Sequence, residues 1–364
     1  MADARKTVMW RMVPVVGLAV AIAASALARA AVQSPALSIA LPIIGIVALL
    51  SVVFACVHHA DVIAHRTGEP YGTLVLTIAV TVIEVALILS IMLAGKGQPT
   101  LARETVFSVI MVVCNGVVGV CLILGGLRYG EQGFQVSGIS SYLVVLMPLA
   151  TLTLVLPTYT TSAPGAFYSP GQLGFVALAT LLLYGVFLYV QTVRHRDYFL
   201  SDLGDADQSV MPEPRQVWES VVLLLVGLVA VVLLAKGVAG SIETAVLAIG
   251  APSDAIGLLV ALLVLLPETV AALRAAQRNE LQKSLNLALG SSLATIGLTI
   301  PAVGLLALLI DVPLELGIDM QDTVLLVLTF AVSIVTFGGG RTNILPGFVH
   351  LVLFAIFVFL VFVP

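Results

Sequence analysis

Charged side chains are scarce in this chain: they make up 10% of its 364 residues, whereas hydrophobic residues make up 60%. Soluble domains carry about 25% charged residues, so the composition excludes an ordinary soluble globular protein. The apolar residues fall in runs long enough to cross about 30 Å of hydrocarbon. The sequence therefore predicts an all-α integral membrane protein in contact with the lipid bilayer.

Other absences narrow the possible functions. The three cysteines, Cys56, Cys114 and Cys121, lie inside apolar runs with no metal-binding spacing, and we predict that they are small buried hydrophobes. The formal net charge is −4 and no basic stripe is present, which argues against a nucleic-acid partner. No serine–histidine pair, HExxH motif or aspartate pair lies at bilayer depth, which argues against an intramembrane enzyme. We expect no cofactor.

The apolar runs predict eleven membrane spans, separated by short links rich in Gly, Pro and charge. We expect one unit of eleven helices, divided as a leading helix (1–35), a first five-helix repeat (36–193), an acidic cytoplasmic linker (194–217) and a second five-helix repeat (218–364). The predicted spans are 13–32, 36–57, 71–94, 105–126, 141–161, 172–193, 218–238, 256–275, 285–309, 323–338 and 344–363.

Two of these segments have alternative interpretations. The first span follows Arg5, Lys6 and Arg11 and ends at Ala28-Arg29-Ala30, so it is either a retained helix or a cleaved signal peptide. Its length favours retention. The linker is acidic and is interpreted as a solvated hinge or, alternatively, as a weak regulatory cation site.

The distribution of Lys and Arg predicts the orientation. With a cytoplasmic N-terminus, twelve of the 16 basic residues lie on the inner side and four, Arg29, Lys96, Arg103 and Lys236, on the outer side. Cytoplasmic loops carry the excess of Lys and Arg. We therefore expect the N-terminus inside and the C-terminus outside.

Glu84 and Glu268 each lie near the middle of a predicted span, the third and the eighth. A charge at bilayer depth costs about 2.5–3.5 kcal/mol on insertion scales, and such residues are functional-site candidates by default. Each glutamate falls on the second helix of its five-helix repeat. Because five is odd, the second repeat is inverted relative to the first, an architecture that builds substrate sites at the midplane.

Two carboxylates with neutral oxygen ligands suit a hard cation such as Ca²⁺ or Na⁺, and protons compete for the same oxygens. We therefore assign Glu84 and Glu268 as cation and proton sites, both also serving as the metal ligands. The helix after each glutamate offers further oxygens, and Pro267, directly before Glu268, is expected to remove a helix hydrogen bond, bend the chain and free backbone carbonyls. The predicted supporting ligands are Ser108 and Asn115 in the first half, Asn286, Ser291, Ser292 and Thr295 in the second, and Thr81 beside Glu84.

A histidine cluster follows the second predicted span and includes His58, His59 and His65, with Asp61. We interpret it as a wet interfacial helix end, with a metal site or a pH sensor as alternatives. For the chain as a whole, a passive cation channel is the alternative to an exchanger. The oligomeric state is not predicted.

Several stretches resemble the cation/proton exchanger branch of the calcium/cation antiporter superfamily, particularly its bacterial calcium/proton and sodium (potassium)/proton antiporters. They are Ala60–Gly72, the two glutamate segments, Tyr184 through Gln191-Thr192, and Gly340–Asn343. The resemblance covers nearly the whole chain and implies alternating access in a bacterial inner membrane, with the two glutamates as shared cation and proton sites. The family's Gly-Asn-Ala before each acidic residue is replaced by Thr81-Val82-Ile83 and Leu265-Leu266-Pro267, so the amide ligands of that motif are missing and Na⁺ and K⁺ become candidate substrates beside Ca²⁺. We expect an antiporter that exports Ca²⁺, Na⁺ or K⁺ from the cytoplasm in exchange for protons, and the preferred cation is not predicted.

Overall fold

The residues that the structure describes form eleven long helices, as predicted. The computed structural model describes residues 2–31, 34–67, 71–94, 99–199, 211–248 and 250–363. Over these residues ten helices are long and apolar enough to cross a membrane, and a further helix, Tyr71–Ala94, contains a shorter apolar stretch, Thr77–Met92. The helices are α1 (Ala2–Ala31), α2 (Pro35–Thr67), α3 (Tyr71–Ala94), α4 (Leu101–Tyr129), α5 (Val136–Tyr159), α6 (Pro170–Arg194), α7 (Pro214–Ala248), α8 (Asp254–Gln277), α9 (Leu281–Ile310), α10 (Met320–Phe337) and α11 (Ile344–Phe362).

Several helices run well past the apolar segments that predicted them. Helix α2 continues to Thr67 and has 33 residues, and α7 has 35. At 1.5 Å per residue, 33 residues span about 50 Å, more than the hydrocarbon thickness. The polar residues beyond the apolar run therefore stay helical, and the predicted ends were too early.

Pro267 lies inside its helix and does not end it, and the bend expected there stays a prediction. Helix α8 is continuous through this residue. π-helical segments occur at Val112–Val117 of α4, Thr151–Val155 of α5, Val190–Arg194 of α6 and Thr295–Thr299 of α9. The first and the last of these lie in the helices that follow the two glutamate helices. A π-helical segment widens the helix locally and is frequent at functional sites.

The helices form two compact units. One comprises residues 1–98 and 208–250 and the other residues 99–207 and 251–364. In the first, α1, α2, α3 and α7 pack together. In the second, α8 packs against α4 and α9, and α11 packs against α4.

Two short pairings join links between helices in the second unit. Strand β1 (Gln132–Gly133), between α4 and α5, pairs antiparallel with β2 (Arg341–Thr342), between α10 and α11. A single bridge joins Phe167, between α5 and α6, to Glu315, between α9 and α10. In the predicted repeats, the link between α4 and α5 corresponds to the link between α9 and α10, and the link between α5 and α6 corresponds to the link between α10 and α11. The two pairings therefore correspond to each other, as a twofold relation between the repeats would predict.

An arginine fixes the start of α4. The Arg103 guanidinium forms ion pairs with Glu104 at 2.6 Å and with Glu315 at 2.8 Å. It also donates a hydrogen bond of 2.8 Å to the carbonyl of Gly317. These contacts tie the beginning of α4 to the segment between α9 and α10.

Helix α8 approaches α4 closely at Gly257, and this contact generates a prediction. A Cβ atom at Gly257 would lie 2.7 Å from the carbonyl carbon of Glu104 and 2.9 Å from the amide nitrogen of Thr105. Because backbone atoms cannot rotate away, Gly257→Ala should lower the thermal unfolding temperature of the detergent-solubilised protein. Overpacking of this kind costs about 1–3 kcal/mol.

Gly174→Ala is the matched control, since no heavy atom lies within 4 Å of its added Cβ. Alanine favours a helix over glycine, so this variant should be as stable as the parent or slightly more so. An unfolding temperature of Gly257→Ala equal to that of Gly174→Ala would contradict the close packing of α8 on α4.

Candidate functional site

Glu84 is a buried carboxylate in the middle of α3. It is the fourteenth of 24 residues in that helix, and 1% of its surface is exposed. Helix α3 packs against α2 and α7 in the first compact unit. Thr81 lies on α3 about one turn before Glu84 and is half-buried.

Glu268 occupies the same place in its own helix. It is the fifteenth of 24 residues in α8, within the second compact unit. The residue is half-buried, and its Oε2 atom is inaccessible to solvent. The two glutamates therefore stand at matching positions in helices of equal length, as the repeat predicts.

Helices α8 and α9 form an antiparallel hairpin that brings Glu268 level with the predicted serine ligands. Glu268 lies nine residues before the end of α8, and Ser291 lies ten residues after the start of α9. At 1.5 Å per residue both lie about 15 Å from the turn between the helices. Because α8 and α9 pack against each other, the carboxylate and the serines share one depth.

Ser292 is a buried hydroxyl without a protein partner. Its exposed fraction is 0%, and its Oγ has no hydrogen-bond partner among the described residues. An unsatisfied buried hydroxyl costs about 1–3 kcal/mol. Thr295, at the start of the π-helical segment, is also buried, and Ser291 is half-buried. Ser292 thus keeps an oxygen available in the interior of the second unit.

Helix α4 adds Ser108 and Asn115, both buried. Asn115 lies in the π-helical segment of α4, and this segment packs against α8 and α9. The second unit therefore brings together the helices that carry Glu268, Ser292 and Asn115. The Asn115 amide contacts two residues that sequence analysis missed: Nδ2 donates to Thr329 Oγ1 at 2.9 Å, and Oδ1 lies 3.1 Å from His350 Nδ1.

Asn286 differs from the other predicted ligands because its amide has structural partners. Its Nδ2 donates to the carbonyl of Phe199 at 2.6 Å, and its Oδ1 accepts from Gln282 at 2.9 Å. These contacts attach α9 to the short 3₁₀ turn Arg196–Phe199. Its role as a cation ligand remains a prediction.

The histidine cluster corrects the sequence interpretation. His58 and His59 lie within α2 rather than at its end, and His59 is 3% exposed, so a wet interfacial position is wrong for it. Its Nε2 lies 3.1 Å from the Trp10 carbonyl and its Nδ1 3.2 Å from Ser220 Oγ. His59 therefore links α1, α2 and α7.

The described residues do not support a metal site outside the predicted exchange site. In the part of the chain that the structure describes, no group of three or more His, Cys, Asp or Glu side chains is placed to hold a metal ion. Residues 200–210 of the acidic linker, which include three of its five acidic residues, lie outside the described residues. The three cysteines are free and buried, as predicted.

Residues of the stretches that carry the family resemblance pack and form hydrogen bonds within the fold. The Tyr184 ring packs against Gly297 in the π-helical segment of α9, where a Cβ would lie 2.6 Å from it. Gln191 donates a hydrogen bond of 2.8 Å to the Tyr142 hydroxyl. Asn343 caps α11 by accepting from the Leu345 amide at 2.9 Å.

Comparison with known proteins gives consistent matches. The family described as sodium/calcium exchanger protein matches residues 37–193 and 219–363. The chain is 46% identical over 318 residues to y4hA of Sinorhizobium fredii, provisionally named an ionic transporter, covering 87% of each chain. It is 40% identical over 330 residues to the sodium-potassium/proton antiporter ChaA of Escherichia coli, covering 89% of each. The solved structure of native YfkE shares the fold, with a TM-score of 0.73 at 16% identity, covering 98% of this chain and 100% of that one.

The unpartnered hydroxyl of Ser292 leads to a prediction about stability. Since no protein group satisfies it, Ser292→Ala should leave the unfolding temperature unchanged or raise it when no cation is added. Ser333→Ala is the control, because the Ser333 hydroxyl donates 2.8 Å to the Thr329 carbonyl. The control should lose about 1 kcal/mol in thermal unfolding in detergent. A larger loss for Ser292→Ala than for the control would mean that the Ser292 hydroxyl stabilises the fold.

Proposed function

The chain belongs to the sodium/calcium exchanger family, and on that premise we propose that it exports Na⁺ or K⁺, and Ca²⁺, from the cytoplasm in exchange for protons, using Glu84 and Glu268. It is a multi-pass membrane protein and a cation/proton antiporter, a transporter rather than an enzyme. The observation that carries the proposal is the pair of glutamates, each in the middle of a 24-residue helix.

The chemistry of exchange follows from the carboxylates. A carboxylate removed from water is stabilised by a bound cation or by a proton, and the two compete for the same oxygen atoms. Two carboxylates are neutralised by two protons, by two monovalent cations or by one Ca²⁺. Exchange between these states leaves little net charge in the membrane interior, where an unneutralised charge is costly.

Alternating access converts this competition into transport. We propose that the site loads a cation when it is deprotonated and open to the cytoplasm, and that protonation on the outer side releases the cation. Ser292 and Asn115 would add neutral oxygens beside Glu268, and Thr81 beside Glu84. Hard cations take carboxylate, hydroxyl and amide oxygens as ligands.

The favoured substrates are the monovalent cations. The segments before the two glutamates, Thr81-Val82-Ile83 and Leu265-Leu266-Pro267, lack the amide that Gly-Asn-Ala would supply. A site with fewer oxygen ligands suits Ca²⁺ less well, since Ca²⁺ takes 6–8 of them. The 40% identity to a sodium-potassium/proton antiporter supports the same choice.

We further propose that the two halves are inverted repeats in a bacterial inner membrane, with the N-terminus in the cytoplasm and the C-terminus outside. The family match falls on residues 37–193 and 219–363, close to the two predicted repeats. The exchangeable pairings of the links between helices support the same division.

Everted membrane vesicles provide the first test. Addition of Na⁺, K⁺ or Ca²⁺ should dissipate a pre-formed pH gradient in vesicles that contain the protein. Glu84→Gln and Glu268→Gln should each abolish this response, because an amide can neither exchange a proton nor neutralise a cation. A passive cation channel would give cation flux that persists without a pH gradient.

Glu131→Gln is the control, since Glu131 is exposed in the link between α4 and α5. It should reach the membrane in the same amount and exchange at the parent rate. No response of the parent protein to any of the three cations would overturn the proposed function. Full activity in one glutamate variant would remove that residue from the mechanism.

Competition between protons and cations generates a second prediction, for the pH dependence. The cation concentration that gives half-maximal exchange should fall as the pH rises, by up to about tenfold per pH unit for each competing proton, and then level off. The maximal rate at saturating cation should change less. A half-maximal concentration that is constant between pH 6 and pH 9 would contradict a shared site.

A further inference from the structure

His350 is a buried imidazole in α11 that the exchange chemistry above does not use. Its exposed fraction is 0%, and its ring stacks on Phe337 with centroids 6.3 Å apart. Its Nδ1 lies 3.1 Å from Asn115 Oδ1, and its Nε2 lies 3.1 Å from Thr336 Oγ1. Ionisable residues inside membrane helices are costly and mark functional sites.

The partners of His350 fix its tautomer. Asn115 Oδ1 can only accept a hydrogen bond, so His350 Nδ1 carries the proton and donates. In the neutral imidazole Nε2 is then an acceptor, and the Thr336 hydroxyl donates to it. The Thr336 hydroxyl can also accept from a protonated Nε2, so Nδ1 donates to Asn115 Oδ1 in both the neutral and the protonated imidazole.

Asn115 accepts a hydrogen bond from His350 at Oδ1 and donates hydrogen bonds at Nδ2. Its Nδ2 donates to Thr329 Oγ1 at 2.9 Å, and the Thr329 hydroxyl in turn donates to Met111 Sδ at 3.6 Å. The second hydrogen of Asn115 Nδ2 faces Met111 Sδ at 3.8 Å. Both amide hydrogens are therefore in use, and one lone pair of Oδ1 accepts from His350.

The second lone pair of Asn115 Oδ1 is then the one hydrogen-bonding position of this side chain that no described residue occupies. A lone pair is what a cation ligand needs, whereas an N–H group repels a cation. If the amide rotated by 180° about its last bond, it would exchange its oxygen for its nitrogen. The hydrogen bond from His350 opposes this rotation.

Backbone packing holds the imidazole beside Asn115. Gly347, three residues before His350, lets α11 approach α4 so closely that a Cβ there would lie 2.9 Å from the Gly119 carbonyl oxygen. Close approach through small residues is typical of membrane helices. The contact occurs about one turn from the π-helical segment that contains Asn115.

We propose that His350 is a positioning residue for the cation site: its Nδ1–H holds the Asn115 amide in the orientation that presents Oδ1 to the transported cation. The proposal rests on the proposed function, because it requires Asn115 to be a cation ligand. His350 itself touches neither the cation nor the protons that are exchanged.

Two substitutions of His350 separate its nitrogen atoms. The amide nitrogen of His350→Asn occupies the place of Nδ1 and can still donate to Asn115. The amide of His350→Gln reaches the place of Nε2 and loses the donor to Asn115. In everted vesicles, His350→Gln should raise the cation concentration for half-maximal exchange by about tenfold, the effect of one lost hydrogen bond, with little change in the maximal rate. His350→Asn should stay within about threefold of the parent.

Thr336→Val is the matched control, since it removes the hydrogen bond to Nε2 with little change of volume and leaves the donation from Nδ1. Its half-maximal concentration should stay near that of the parent. In an Asn115→Ala background, His350→Gln should have no further effect, whereas a purely structural role for His350 would give the same increase again.

The outcomes distinguish this inference from the proposed function. If the parent protein exchanges cations and both glutamate variants do not, the function stands. The inference is then overturned if His350→Gln keeps the parent half-maximal concentration, if His350→Asn is impaired equally, or if Asn115→Ala has no effect. Absence of exchange in the parent protein would instead overturn the function itself.

Discussion

The cost of holding a carboxylate away from water is the constraint on which the rest of this structure depends. Glu84 is 1% exposed in the middle of α3, and Glu268 has a solvent-inaccessible oxygen in the middle of α8. Burial away from water disfavours the ionised carboxylate, and a bound cation or a proton removes this cost. We propose that the protein uses these two glutamates to bind a cation and to release it on protonation.

The surroundings of these carboxylates reflect the same constraint. In the second unit, which contains Glu268, α9 supplies the buried Ser292, and α4 supplies Asn115 from a π-helical segment. Both groups offer oxygens that the described residues do not fully satisfy. Their unsatisfied capacity costs stability in the empty protein, and a bound cation would offset that cost. Sites of this kind trade stability for function.

Much of the fold could be predicted because membrane spans are encoded locally. Eleven apolar runs gave eleven helices, and the glutamates stood out as charges within them. The prediction was wrong where polar residues continue a helix beyond its apolar run, as at the ends of α2 and α7. Helix α8 runs through Pro267, since a membrane helix tolerates a proline when its surroundings satisfy the freed backbone group. The π-helical segments of α4 and α9 have no comparable sequence signal.

His350 shows why sequence analysis missed part of the site that we propose. A histidine within the apolar run of α11 is as unusual as a glutamate within α3, and the same argument of cost could have found it. Its partner could not be found in this way, because Asn115 lies 235 residues away in the sequence. The opposite error concerned His59, whose position near other histidines suggested a wet interface, whereas tertiary packing buries it against Trp10 and Ser220.

The central claim is that cations and protons compete for the same carboxylates. The most direct test is to count the protons released when a cation binds to the purified protein in detergent, using a pH indicator in weakly buffered solution. Near neutral pH the account predicts proton release that saturates together with cation binding and disappears when both glutamates are replaced by glutamine. Saturable cation binding without proton release at any pH would contradict it.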